Sequence, residues 1–286
     1  MKALDLARVR SRAVFRALGA AVGRSGGWGR LVLRLDDLDA PRPGPASTRD
    51  LAGWQEAAVD RILEGGAVPV EVIGRPSNPL LVDLARFVAR LDCPVTVRTE
   101  GAGLDQAVAE GLVGGGVRRI VLVGESTEAV RRLDEARRTH GASLDLVVEV
   151  PVGTDLDDAA ARMRGAGADG IRVGLPWAGG PWDPETLAWF AAAAARVASF
   201  DRTDRAMLHE AARMDGRGPG AARRGGHCAV GGARLEVGPD GAMYACPHQG
   251  ERAEPGGPSA LVAHRALIRA CERVCVHPAL AGPAAR

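Results

Sequence analysis

Short apolar runs alternate with amphipathic stretches from about residue 30 to about residue 200. The apolar runs predict six strands, at residues 31–35, 68–73, 95–99, 120–123, 144–150 and 171–173. Helical periodicity predicts helices between and after them, at residues 52–63, 80–91, 104–112, 127–139, 156–165 and 186–198. Strands and helices that alternate in this way are typical of a parallel sheet covered by helices. Right-handed crossovers would curl such a series into a full or partial barrel.

The pattern changes after about residue 205. Residues 215–226 are rich in Gly, Ala and Arg, which is typical of a linker or loop. Residues 233–237 and 242–245 flank a Gly-Pro-Asp-Gly turn signal and predict a β-hairpin. Ser259 is a candidate cap for a final helix. The fold class we predict is α/β, with an N-terminal helical segment at residues 1–30, a six-unit partial (β/α)6 TIM-like barrel at residues 31–205, and a small cysteine-rich α+β extension at residues 206–286.

Composition is that of an ordinary globular protein, with 286 residues of which 46% are apolar and 25% charged. A net charge of only +2 gives no reason to expect nucleic acid as a partner. We expect neither a membrane segment nor a secretory signal, and hence a cytoplasmic location. Lys2 is the only lysine. Its position leaves no amine within the barrel for Schiff-base chemistry and no lysine for a P-loop.

Four of the five cysteines fall within the last 59 residues. Cysteines clustered in this way in a cytoplasmic protein indicate metal ligands rather than disulfides. The predicted hairpin would bring Cys228 and Cys246 to neighbouring strand ends. Cys271 and Cys275 have the i, i+4 spacing that places two thiols on one helix face. The four thiols together suit a [4Fe–4S] cluster or a structural zinc ion.

Two alternatives to this ligand set remain open. Cysteine is often simply buried, and Cys271 and Cys275 continue an apolar helical stripe that starts at Leu267. Histidines adjoin the cysteines and are alternate metal ligands, namely His227, His248 and His277. The remaining cysteine, Cys93, precedes a proline at the start of a strand and is expected to lie in the core.

An acidic group follows the first predicted strand, and its members are Asp36, Asp37 and Asp39. The carboxyl ends of the strands form the catalytic face of a barrel. Carboxylates there could bind a divalent cation or exchange protons with a substrate. These three residues are therefore candidate catalytic residues. The alternative is a solvated acidic turn ahead of the proline-rich loop.

The segment HCAVGGARLEVGPDGAMYAC, at residues 227–246, resembles the opening of the SPASM or twitch extension of radical S-adenosylmethionine (SAM) proteins. In that extension a cysteine is followed by nine to fifteen residues, a glycine, four residues and a second cysteine. Cys271 and Cys275 fall where the extension has its second cysteine group. Four cysteines are closer to the twitch form, which implies one auxiliary iron–sulfur cluster. The order of barrel and extension also matches the family.

The same resemblance implies that radical chemistry has been lost. In the family the loop after the first strand contains CxxxCxxC, whose thiolates hold the cluster that reduces SAM. Here that loop, residues 36–44, contains no cysteine. The family's Gly-Gly-Glu-Pro segment after the second strand corresponds to residues 74–81, which lack the glutamate and the second glycine.

We therefore expect a non-catalytic, degenerate radical-SAM-like protein that binds one auxiliary cluster and does not use SAM. By family analogy it would be the partner or substrate-binding subunit of a true radical SAM enzyme in the maturation of peptide natural products (RiPPs). Two alternatives remain open. One is an enzyme that uses a metal at the acidic group, and the other is a zinc-stabilised binding module.

Overall fold

The computed structural model describes residues 30–36, 38, 49–65, 68–151, 153–174, 185, 188–189 and 234–244. Within these residues lie the strands β1 (Arg30–Arg34), β2 (Val70–Ile73), β3 (Val95–Glu100), β4 (Arg119–Val123), β5 (Asp145–Val150), β6 (Gly170–Val173), β7 (Arg234–Val237) and β8 (Met243–Tyr244). The helices between them are α1 (Leu51–Gly65), α2 (Leu81–Ala89), α3 (Gln106–Gly114), α4 (Thr127–His140) and α5 (Leu156–Ala166).

The strands form one sheet in the order β6-β5-β4-β3-β2-β1-β7-β8. Every neighbouring pair from β6 to β7 is parallel, whereas β7 and β8 pair antiparallel. The α/β class is thus confirmed, with one helix returning the chain between each consecutive pair from β1 to β6. No helix among the described residues is both long enough and apolar enough to cross a membrane.

Side chains alternate between the two faces of the sheet along each strand, and one of these faces packs against the helices. Three leucines are fully buried, Leu31 and Leu33 in β1 and Leu35 directly after it. They pack with Trp54 of α1 in the hydrophobic core. The same rule holds for β2 to β7, so every second strand residue packs beneath the helices. The intervening residues lie on the opposite side of the sheet, which we call the inner face.

Local sequence signals fix the helix ends. Asp105, Ser126 and Asp155 precede α3, α4 and α5, and each side chain accepts a backbone N–H of the first turn. Gly167 ends α5 in the left-handed region at φ 112°. A Cβ added there would lie 2.6 Å from Cγ of Asp134, so this position requires glycine for space as well as for conformation.

Most predicted elements are confirmed to within a few residues. The second strand begins at Val70 and not at residue 68, because the proline at position 69 has no N–H for the ladder. The third helix begins after its cap at Asp105, later than its apolar periodicity indicated. The predicted hairpin is also present as β7 and β8, around a turn with φ +78° at Gly241.

The position of the hairpin in the sheet was not predicted from the sequence. β7 lies parallel to β1, with Leu31 opposite Leu235 and Leu33 opposite Val237. Residues 234–244 therefore extend the parallel sheet on its β1 edge. Residues 1–29, most of the predicted sixth helix, the linker at 215–226 and the final helix lie outside the described residues.

The buried contacts of β7 predict that the hairpin unfolds together with the parallel sheet. Leu235→Ala should lower the free energy of unfolding by about 2–4 kcal/mol, since its side chain is fully buried in the shared core. The matched control Leu63→Ala, at a side chain 37% exposed, should lower it by less than about 1 kcal/mol. Urea unfolding followed by circular dichroism measures both. An unchanged midpoint for Leu235→Ala would mean that the hairpin does not share the core.

Candidate functional site on the inner face and at the carboxyl ends of the strands

The inner face of the sheet is lined by buried charges. Arginines and glutamates on six strands are nearly inaccessible to solvent there, namely Arg34, Glu71, Arg98, Glu149, Arg172 and Glu236. Buried charges are tolerated only when each is paired and hydrogen-bonded, because the loss of hydration is costly. Their pairing across strands therefore constrains how the sheet is assembled.

Glu149 of β5 lies between two arginines. Its Oε1 accepts from Nη2 of Arg98 at 2.5 Å, and its Oε2 accepts from Nε of Arg172 at 2.7 Å. Burial raises the pKa of Glu149, but the charges of Arg98 and Arg172 and their hydrogen bonds outweigh it and lower the pKa to about 2. The carboxylate is thus ionised at any physiological pH and is unsuited to general acid or base catalysis.

Two further ion pairs connect β1 to its neighbours on the same face. Nε of Arg34 donates to Oε1 of Glu236 at 2.6 Å, and both side chains are buried. Nη1 of Arg30 donates to Oε2 of Glu71 at 3.2 Å. The hairpin strand β7 is consequently attached to β1 by an ion pair on the inner face and by apolar packing on the other.

A second polar network joins the carboxyl ends of β1, β2 and β3. Oδ2 of Asp36 accepts from the backbone N–H of Arg75 at 2.8 Å and from Nδ2 of Asn78 at 2.9 Å. The Arg75 side chain reaches on to Glu100 at the end of β3, with Nη1 and Oε2 3.2 Å apart. Gly74 allows this close approach, since an added Cβ would lie 3.3 Å from Oδ2 of Asp36.

Asp36 therefore holds the loop after β2 against the end of β1. Two donors already occupy its Oδ2, which supports a structural role for this carboxylate. Asp37 and Asp39, the other members of the predicted acidic group, lie outside the described residues. A metal at this group stays a prediction.

Cys93 is buried against the hydrophobic core, as predicted. Burial and, to a lesser degree, the adjacent Asp92 carboxylate raise the pKa of its thiol to about 11. It is therefore protonated at neutral pH, and this argues against a reactive thiolate.

The predicted metal ligands all lie outside the described residues, both the four cysteines (Cys228, Cys246, Cys271 and Cys275) and the alternate histidines (His227, His248 and His277). Within the part of the chain that the structure describes, no group of three or more His, Cys, Asp or Glu side chains is arranged to hold a metal ion. The cysteine site accordingly stays a prediction.

Solved structures with a similar fold include SuiB from Streptococcus suis, determined with bound S-adenosylmethionine, at a TM-score of 0.57 and 11% sequence identity. That alignment covers 86% of this chain and 66% of SuiB, so the chain spans slightly less than two thirds of SuiB. A second SuiB structure aligns at a TM-score of 0.51 and 11% identity, covering 91% of this chain and 70% of SuiB. No protein-family model matches the chain, and no curated protein sequence matches it. Identities this low establish a similarity of fold alone, here to the fold of SuiB.

The charges of the inner face were missed by sequence reasoning, although the sequence contains a signal for them. Central parallel strands buried on both faces normally read as continuous apolar runs. Here RLVLR, VTVRTE, DLVVEV and RLEV place their charges two or four residues apart, so that the charges of each strand fall on one face. That period-two charge pattern indicates a polar second face. Which of these charges pair with one another depends on the order of the strands, and the charge pattern does not specify that order.

Removal of the Glu149 carboxylate tests how much the buried ion pairs of the inner face contribute to stability. Glu149→Gln should lower the free energy of unfolding by about 3 kcal/mol at pH 7, because two arginines then lose their buried counter-charge. The control Glu128→Gln removes the exposed carboxylate that pairs with Arg132 and should cost about 0.5 kcal/mol or less. Urea unfolding of both variants supplies the comparison.

The effect of Glu149→Gln on stability should depend on pH. The folded-state pKa of Glu149 lies below the unfolded value, so its contribution is complete above about pH 5 and is lost as pH falls towards 2. The stability difference between wild type and Glu149→Gln should therefore shrink from pH 5 to pH 2.5. If the stability difference instead grows on acidification, the pairing of Glu149 with Arg98 and Arg172 would be contradicted.

Proposed function

We propose that this chain is a catalytically degenerate relative of the radical SAM enzymes. It binds one auxiliary iron–sulfur cluster through Cys228, Cys246, Cys271 and Cys275, and it acts as the partner or substrate-binding subunit of a true radical SAM enzyme. Maturation of a peptide natural product is the setting, on the basis of the resemblance of residues 227–246 to the SPASM or twitch extension.

The observation that supports degeneracy most strongly lies at the end of β1. A radical SAM enzyme needs three thiolates from the loop after this strand, to hold the cluster that delivers the electron. The first cysteine of this chain is Cys93, so that loop supplies none. In its place Asp36 binds the loop after β2 through the N–H of Arg75 and Nδ2 of Asn78.

The loop after β2 gives independent support. The resemblance aligns it with the segment that contacts the methionyl group of SAM, whose glutamate is missing here. Arg75 of this loop is instead paired with Glu100, and the Asn78 side chain also accepts the N–H of Leu80. Polar side chains at the ends of β1, β2 and β3 thus form hydrogen bonds and an ion pair with one another. This favours a fixed scaffold over an open cofactor site.

The geometry of the hairpin is compatible with a shared metal site for two of the cysteines. In the antiparallel pair, Glu236 lies opposite Tyr244, so the chain enters β7 and leaves β8 at the same end. Cys246 is two residues beyond Tyr244, and Cys228 is six residues before Arg234. Six residues span at most about 20 Å, so the chain can bring both thiols to one centre.

A zinc-stabilised binding module is the main alternative, because four thiolates suit zinc equally well. The distinction is chemical, since an iron–sulfur cluster contains inorganic sulfide and zinc does not. An enzyme with a metal at Asp36 is less well supported, because Oδ2 of that carboxylate already accepts two hydrogen bonds.

Metal and sulfide analysis of the full chain, purified without oxygen, tests the cluster. The proposal predicts about four iron and four sulfide per chain, with broad absorbance from thiolate-to-iron charge transfer. Cys246→Ser should lower the iron and sulfide content and alter that absorbance. The control Cys93→Ala changes the core thiol and should leave both contents at the wild-type level. One zinc per chain with no sulfide would refute the cluster.

A further inference from the structure

We draw no further inference here: the strongest candidate, the open cleft of about 500 Å³ between α1 and the β7–β8 hairpin, carries Arg49 and Arg61 beside the carboxylates of Glu56 and Asp60 on its rim, and nothing among the described residues shows what covers it.

Discussion

Pairing of charges on the inner face constrains the rest of this structure. Glu149 is buried between Arg98 and Arg172, and each of these three residues comes from a different strand. A shift of one residue in any strand would move its charge into the hydrophobic layer beneath the helices. The apolar face therefore stabilises the sheet, while the ionic face restricts the register in which it forms. The same constraint applies to the hairpin, which is joined to β1 through Arg34 and Glu236.

This arrangement bears directly on function. The fold is similar to that of SuiB, and at the carboxyl end of the sheet side chains bind one another. Asp36, Arg75 and Glu100 connect three consecutive strands at the place where the resemblance would put a cluster and SAM. Under the proposed degenerate role, such a fold would still present a binding surface. On this account the retained chemistry lies in the cysteines that flank the hairpin.

Much of the fold could be predicted from the sequence, because its signals are local. The apolar runs predicted β1 to β6, and helical periodicity predicted the helices between them to within a few residues. The parallel pairing of β7 with β1 could not be predicted, since about 200 residues separate them and a four-residue strand does not specify its partner. Asp36 was correctly placed at the end of the first strand, but its hydrogen bonds with Arg75 and Asn78 depend on tertiary structure. For the cysteines, the sequence motif remains the basis of the assignment.

The central claim is that the chain has kept the scaffold and lost the radical chemistry. The most direct test is to incubate the anaerobically reconstituted full chain with SAM and a strong reductant and to quantify 5′-deoxyadenosine by chromatography. The account predicts no 5′-deoxyadenosine above that of a protein-free control. Formation of 5′-deoxyadenosine in proportion to protein concentration, and its loss on removal of the iron, would contradict the account.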